Sequence, residues 1–327
     1  MKAWQVQSAA NRTIEDLVLA EVPEPQITAT ELLVKMHVVG LNPVDYKVIE
    51  NGIDSWQYPH TVGIDAVGEV VALGEQTSGF NIGDRVFYHG DLRHDGSLAE
   101  FAATDFRGVG HVPDTMSDEQ ASAILCSAMT AYQALYRKAN LVGKQTILIH
   151  AGGGNVGFIG IQLAKKLGLT VIATTSARKR ELVTQAGADV IIDYHVENVT
   201  ERVLETTNQL GVDLSLNTIG QQEIAPDIDR MAYNGQILVV GDGIPEGLDL
   251  DGRALTIARI ALGGVYRSDN GAQIHDLAIM AESLATMVMH HELVAPVDWL
   301  VPMQDVKAAM VAVKAGTAQG KISVKVQ

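Results

Sequence analysis

The sequence predicts an α/β protein with two domains, one β-rich with few helices and one a doubly wound parallel sheet. The chain has 327 residues, more than one ordinary core holds. Its early apolar segments are short and separated by Gly, Pro and Asn. From residue 118 onward, near-continuous apolar segments alternate with helical patterns, as in parallel sheets covered on both faces.

In the first part of the chain, strand patterns are bounded by turn residues. They cover 31–40 (ELLVKMHVVG), 66–74 (AVGEVVALG) and 83–89 (GDRVFYH). One helix is expected over 44–50, because Pro43 suits the first turn of a helix.

The second part predicts alternating strands and helices. An Ala-rich helix is expected over 118–138, with a break near Ser127. Strands are expected at 146–150, 170–174, 189–193, 211–217 and 236–240, and helices at 156–167, 178–186, 196–209 and 220–231. A helix over 273–290 then precedes a strand at 321–326, which we expect to rejoin the first domain. The predicted bounds are therefore 1–124 with 266–327 for the β-rich domain and 125–265 for the parallel-sheet domain.

Composition excludes several classes of function. With 24 Lys and Arg against 39 Asp and Glu, the net charge of −15 repels nucleic-acid phosphates and anionic membranes, so neither partner is expected. The single cysteine, Cys126, excludes an intrachain disulfide and a multi-cysteine zinc site. The start lacks the apolar core of a secretory signal and no apolar run has the length of a spanning helix, so a cytoplasmic protein is expected.

The sharpest motif is a glycine-rich turn, AGGGNVG at 151–157. Gly152, Gly154 and Gly157 have the G-x-G-x-x-G spacing, between the strand TILIH and an amphipathic helix. The early glycines let backbone amides reach a pyrophosphate, and Gly157 lets the helix pack close to the sheet. The N–H groups at the start of the helix, from Asn155 and Val156 onward, attract an anion. The motif therefore predicts dinucleotide binding.

The end of the second strand indicates which dinucleotide binds. An NAD site has an acidic residue there, about 20 residues past the turn, for the ribose 2′-OH. This sequence has Thr175 and Ser176, followed by Arg178, Lys179 and Arg180, and no carboxylate before residue 181. Hydroxyls and cations favour a 2′-phosphate, so NADPH is the expected cofactor.

Further segments complete a pattern that covers almost the whole chain. They are GLNPVD at 40–45, GIDAVG at 63–68, GDRV at 83–86, AMTAY at 128–132, AGADVIIDY at 186–194 and GKI at 320–322. With the glycine-rich turn, they resemble the zinc-independent quinone oxidoreductase branch of the medium-chain dehydrogenase/reductase superfamily. The resemblance implies a GroES-like catalytic domain, a Rossmann domain, a cleft between them and a homodimer. It also implies reduction of quinones or α,β-unsaturated carbonyl compounds with NADPH.

The resemblance also bears on the metal. Zinc enzymes of the superfamily have ligands where this sequence has Asn42, Ile64 and Cys126. One thiolate does not hold a catalytic zinc ion, which needs about three protein ligands, so no metal is expected.

Candidate catalytic residues follow from the same comparison. Asn42 replaces a metal ligand, and its amide is expected to donate to the acceptor oxygen or to the cofactor. Asp45 either holds the local geometry or is an acidic residue favoured at a helix start. Tyr46 is either a hydrogen-bond donor or a packing residue.

Other residues are expected to contact the cofactor. The resemblance assigns Thr130 to the nicotinamide side and Tyr194 to the 2′-phosphate end. Asn217, Gly241 and Val265 end strands at the edge where ligands bind in open α/β sheets. Lys321 either reaches the cofactor or anchors the terminal strand.

Two other functions remain open on the sequence. One is a zinc-free alcohol or aldehyde reductase, distinguished by its acceptor class, because simple carbonyls need stronger polarisation than quinones. The other is an NADPH-binding sensor with little turnover, distinguished by tight binding without oxidation by any acceptor.

Overall fold

The computed structural model describes residues 1–10, 12–241, 243–250 and 252–327. They form two compact units, residues 1–129 with 263–327 (the first unit) and residues 130–262 (the second unit). The strands are β1 Lys2–Val6, β2 Val18–Glu21, β3 Glu31–Gly40, β4 His60–Thr61, β5 Asp65–Leu73, β6 Arg85–His89, β7 Phe101–Asp105, β8 Val109–His111, β9 Thr146–Ile149, β10 Thr170–Thr175, β11 Val190–Asp193, β12 Val212–Asn217, β13 Met231–Val240, β14 Thr256–Ile260, β15 Val297–Pro302 and β16 Lys321–Lys325. The α-helices are α1 Pro43–Asn51, α2 Asp118–Ala123, α3 Cys126–Tyr132, α4 Asn155–Lys166, α5 Arg180–Gln185, α6 Val199–Thr206, α7 Ile224–Arg230, α8 Gly271–Met289 and α9 Val306–Ala315.

The first unit is built on two sheets. A seven-stranded sheet has the order β15-β16-β3-β5-β6-β8, with β7 also paired to β3, and a three-stranded sheet has the order β2-β1-β4. Its core includes Met36, Ile49, Tyr88 and Ile322, all buried. Strand β16 pairs antiparallel with β3, so the prediction that the terminal strand rejoins the first domain is confirmed.

The second unit is a six-stranded parallel sheet of order β11-β10-β9-β12-β13-β14. From β9 the strand order runs outward through β10 to β11, and from β12 it runs in the opposite direction to β14. The switch point, where ligands bind in such sheets, therefore lies between β9 and β12. Strand β9 is fully buried from Ile147 to Ile149, as expected for a central parallel strand. The predicted β-rich and doubly wound architectures are both confirmed.

Several element predictions differ from the structure. The helix expected over 118–138 is divided into α2, α3 and a π-helix over Gln133–Lys138, and the break lies at 124–125 rather than near residue 127. Strand β13 begins at Met231, so the preceding helix ends one residue earlier than predicted. Strands β1, β2, β4, β7, β8 and β15 and helix α9 were not predicted. In α9, valines at 306, 311 and 313 weaken the helical signal, because β-branched residues lower helix propensity.

The described helices include none that combines the length and the apolar character needed to cross a membrane.

Candidate active site

A buried polar group lies in the first unit, where β3, β5, β6 and β16 meet. We call Asn42, Asp65, His89 and Lys321 the Lys321 cluster; each is at most 2% exposed. Asp65 and His89 are paired across β5 and β6, and His89 Nδ1 lies 3.0 Å from Asp65 Oδ1. Lys321 enters from β16, and its Nζ donates to Asp65 Oδ2 at 2.8 Å. Charged groups this deeply buried are stable only when they are paired.

Asn42 links the cluster to the start of α1. Its Oδ1 accepts from Lys321 Nζ at 2.5 Å, and its Nδ2 donates to Asp65 Oδ2 at 2.7 Å and to Gly40 O at 3.1 Å. Both amide protons are therefore engaged within the unit. This differs from the expectation that the amide donates to an acceptor or to the cofactor. In this arrangement Asn42 orients Lys321 and Asp65.

Asp45 combines a structural role with an unusual environment. Its Oδ2 accepts the Asn42 backbone N–H at 2.7 Å, which satisfies a donor at the start of α1. Its Oδ1 is buried without a hydrogen-bond partner. Burial, reinforced by the negative charge of Asp65, raises the pKa of Asp45 to about 7. The contact to the Asn42 N–H lies at the helix start and also fixes the local backbone, so it agrees with both alternatives for this residue.

The positive charge of the Lys321 ammonium lowers the pKa of the neighbouring Asp65 carboxyl. Burial alone would raise the pKa of Asp65, but the Lys321 charge and the His89 hydrogen bond outweigh it and hold that pKa below its usual value. Cys126 donates its backbone N–H to Asp65 Oδ1 at 3.1 Å. Burial and the nearby Asp65 raise the pKa of the Cys126 thiol well above its usual value, which keeps it protonated.

Three of these side chains offer atoms that metals bind. The ligand atoms of Asp65, His89 and Cys126 lie within 4.8 Å of one another. However, the Asp65 carboxylate is already bonded to the Lys321 ammonium, and Ile64 occupies the neighbouring position with an apolar, 2%-exposed side chain. A protonated thiol and a carboxylate shared with an ammonium do not suit a divalent ion. The residues present therefore do not fit a catalytic zinc ion.

The other predicted residues of the first unit lie outside the cluster. Tyr46 is partly buried against the core, and Lys314 Nζ lies 5.7 Å from the centre of its ring. Val265 lies in a 3₁₀ helix over Leu262–Ser268, where its carbonyl accepts from Ser268 Oγ at 2.7 Å. The expectation that Val265 ends a strand is wrong, because the preceding strand, β14, ends at Ile260.

The glycine-rich turn lies in the second unit between β9 and α4, as predicted. A Cβ on Gly157 would lie 2.4 Å from Ala151 O and 2.7 Å from Gly152 Cα, so only glycine fits there. A Cβ on Gly154 would meet only Ala151 O, at 3.3 Å. Gly154 therefore faces open space at the first turn of α4, where Asn155, Val156 and Gly157 present the N–H groups that a helix start leaves without intrahelical partners. This cradle fits a pyrophosphate.

Lys179 lies against the same turn. Its Nζ donates to Gly153 O at 3.0 Å, and a Cβ on Gly153 would lie 2.6 Å from Lys179 Cβ. Thr175 is buried at the end of β10, and Ser176 follows it, partly exposed. The structure thus brings together the hydroxyl and ammonium groups predicted at the 2′-phosphate end.

Two residues of β11 lie near this end of the sheet. Asp193 pairs in register with Thr175, and its Oδ1 accepts the His195 N–H at 3.0 Å, which caps the turn after the strand. Tyr194 is 50% exposed, with its ring centre 4.3 Å from that of His195. An exposed aromatic ring at this edge is available to an adenosine.

The remaining predicted residues of the second unit lie at the carboxyl edge or in α3. Asn217 is buried, and its Oδ1 accepts the N–H groups of Ile219 and Gly220, so it shapes the turn after β12. Gly241 has a φ of +91° with open space around its Cβ position, which permits close approach of a ligand. Thr130 is 7% exposed in α3.

A second buried polar group lies next to the glycine-rich turn, at the end of β9. His150, which immediately precedes the turn, places Nε2 2.8 Å from Asp227 Oδ1, and Ser215 Oγ donates to Asp227 Oδ2 at 2.8 Å. Arg230 bonds to Asp227 at 3.1 Å and to Glu223 at 2.5 Å. These bonds connect the end of β9 to α7. The positive charge of Arg230 balances the negative charges of Asp227 and Glu223.

Sequence reasoning missed Asp65 and His89 as parts of one site. Asp65 is an isolated carboxylate in the apolar segment 64–67, and His89 ends the strand RVFYH. These two signals indicate a buried pair only when the register of β5 and β6 is known, and the sequence does not provide it.

Comparisons with known proteins give the family. Residues 28–116 match the alcohol dehydrogenase GroES-like domain, and residues 155–285 match the zinc-binding dehydrogenase domain. A quinone oxidoreductase of Pseudomonas aeruginosa is 31% identical over 269 residues, covering 80% of this chain and 82% of that protein. The chain belongs to the quinone oxidoreductase branch of the medium-chain dehydrogenase/reductase superfamily.

Two further relatives of this branch are informative. Human quinone oxidoreductase is 28% identical over 214 residues, which cover 64% of each chain, so the match spans less than two thirds of that protein. A mycobacterial protein solved in complex with NADPH is 27% identical, with full coverage of both chains and a TM-score of 0.87. The family resemblance derived from the sequence motifs is confirmed.

Proposed function

We propose that the protein transfers a hydride from NADPH to a quinone or an α,β-unsaturated carbonyl compound without a metal ion. The observation that carries the proposal is Lys179, which is fixed by a 3.0 Å hydrogen bond beside the glycine-rich turn. A cation at this place pairs with a 2′-phosphate, which NADPH has and NADH lacks. The relatives named quinone oxidoreductases, and the NADPH complex of the mycobacterial relative, support the same assignment.

The Lys321 cluster supports this acceptor class. A quinone or enone is electrophilic enough to accept a hydride without a Lewis acid. A simple aldehyde or ketone needs stronger polarisation of its oxygen. The Asp65 carboxylate, which a metal ion would need as a ligand, is bonded to the Lys321 ammonium. The electrophilic acceptors, which need no Lewis acid, are therefore favoured.

Each part of the chain has a defined task in this proposal. The first N–H groups of α4 hold the pyrophosphate, Ser176 and Lys179 hold the 2′-phosphate, and Tyr194 covers the adenosine. Bound NADPH supplies the hydride. Tyr46 offers an O–H group to the oxygen on which negative charge develops, while Asn42 and Asp45 fix the start of α1 that presents it.

The cofactor set is completed by residues at the carboxyl edge of the parallel sheet. Thr130, Asn217 and Gly241 are proposed to contact the nicotinamide half. The proposal also includes a cytoplasmic homodimer with neither nucleic acid nor membrane as partner. Sedimentation analysis of the purified chain measures the assembly state.

The function is tested by comparing acceptors under identical conditions. NADPH oxidation is followed with an ortho-quinone, an α,β-unsaturated ketone and a simple aldehyde. The proposal expects turnover with the quinone or the enone and at least a tenfold lower kcat/KM with the aldehyde. Preference for the aldehyde would favour a zinc-free carbonyl reductase. Tight NADPH binding without turnover would favour a sensor.

A further inference from the structure

The Lys321 side chain lies in space that the glycine at position 40 leaves open. Strand β16 pairs antiparallel with β3 so that Ser323 lies opposite Gly40. A Cβ on Gly40 would lie 2.5 Å from Lys321 Cε and 3.0 Å from its Nζ. Glycine at position 40 therefore leaves the space through which the lysine stem reaches the cluster. The side chain is 1% exposed, so the ammonium does not exchange its partners for water.

The ammonium ends among groups that would otherwise suit a transition metal. A carboxylate, an imidazole and a thiol from Asp65, His89 and Cys126 have their ligand atoms within 4.8 Å of one another. Three protein ligands of these types are the number that a catalytic zinc site uses, at about 2.0–2.3 Å from the ion. The obstacle is the ammonium at 2.8 Å from the Asp65 carboxylate.

We propose that Lys321 is the resident cation of this site, and that its ammonium excludes a divalent metal ion from a latent site formed by Asp65, His89 and Cys126. An ammonium and a divalent ion that share one carboxylate repel each other strongly in a buried environment. The carboxylate charge can be balanced by either cation but not by both. The covalently attached cation does not dissociate, so the site keeps its charge balance whatever the metal supply.

The proposal separates this chain from the zinc-binding description of the family that it matches. It does not depend on which acceptor the enzyme reduces, because metal binding is measured without substrate.

The test removes the Lys321 ammonium by substitution and then adds Co²⁺, whose absorption spectrum reports its ligands. Lys321→Met removes the charge and keeps most of the stem, and Lys321→Gln leaves a shorter neutral donor for Asp65 and Asn42. Each full-length variant, the wild type and the matched control Lys325→Met, an exposed lysine of the same strand, is titrated with Co²⁺ and then gel-filtered. Since the chain has one cysteine, a cobalt–thiolate charge-transfer band reports this site alone.

We expect one equivalent of retained cobalt and the thiolate band in at least one Lys321 variant, and neither in the wild type nor in Lys325→Met. Adding Cys126→Ser to the binding variant should abolish the band. The variants should also melt at a higher temperature with Co²⁺ than without it, by the linkage between binding and folding.

Three outcomes would overturn the proposal. The first is a stoichiometric thiolate band in the wild type, because the ammonium then does not exclude the ion. The second is two folded Lys321 variants that bind no cobalt. The third is failure of both variants to fold even when expressed and purified with Co²⁺ or Zn²⁺, because a bound ion should replace the lost charge.

Discussion

Replacing Lys179 with methionine removes one charge beside the glycine-rich turn and preserves the aliphatic stem. The stem matters because it packs on Gly153, where a Cβ would lie 2.6 Å from Lys179 Cβ. The interaction removed is the proposed charged hydrogen bond to the 2′-phosphate, and such a bond contributes about 1.5–3 kcal/mol. The residue is partly exposed, so solvent screening favours the lower half of that range. We expect the Kd for NADPH to rise about 10- to 50-fold, and the Kd for NADH to change by less than about threefold.

The assay is a fluorescence titration of each nucleotide against wild type, Lys179→Met and Lys144→Met. Lys144 is a matched control in the same unit, because its Nζ also donates to a backbone carbonyl, Asn234 O, at 2.7 Å. The ratio of the two dissociation constants cancels any general effect of the lost Gly153 contact. Equal weakening of NADPH and NADH binding, or an unchanged Kd for NADPH, would show that Lys179 does not bind the 2′-phosphate.

Substitutions in the glycine-rich turn and at the buried Asp45 carboxyl have distinct expected effects. Gly154→Val should abolish NADPH binding and leave the melting temperature near that of the wild type, because its Cβ position faces open space apart from one contact at 3.3 Å; retained affinity would place the phosphates elsewhere. Gly157→Ala should instead lower the free energy of unfolding by about 1–3 kcal/mol, because its Cβ would meet backbone at 2.4 Å; urea unfolding measures this, and wild-type stability would contradict it. Burial raises the pKa of Asp45 to about 7 in the folded state, so the native protein holds a proton that the unfolded chain releases, and stability falls as pH rises from about 4 to about 7. Asp45→Asn removes this fall, so between pH 5 and pH 8 the variant should lose about 2–3 kcal/mol less than the wild type, and parallel pH profiles would show that Asp45 does not titrate there.

Signals from residues close together in the sequence were sufficient to predict the glycine-rich turn of the second unit. The glycine-rich turn, the β9–α4 boundary and the Lys179 position depend on residues close together in the chain, between a strand and the next helix. Their spacing therefore fixes their geometry, and the structure places them as the motif indicates.

The first unit was less predictable because its site joins distant parts of the chain. Lys321 reaches Asp65 across 256 positions, and the pairing of β16 with β3 and of β3 with β5 brings them together. The sequence left Lys321 either to reach the cofactor or to anchor the terminal strand, and its bonds to Asn42 and Asp65 agree with the second alternative. The role expected for the Asn42 amide failed for the same reason, since its partners become visible only once the strands are paired.

The proposed hydride transfer from NADPH needs no metal ion, and the Asp65 carboxylate is neutralised by the Lys321 ammonium. The most direct measurement is the rate of NADPH oxidation by an ortho-quinone, taken on one sample before and after chelation, with the metal content determined at both stages. We expect full turnover with less than about 0.05 metal ions per chain, whereas a zinc-dependent enzyme would need about one bound ion per active chain. Loss of activity on chelation, with recovery when Zn²⁺ is returned, would contradict it.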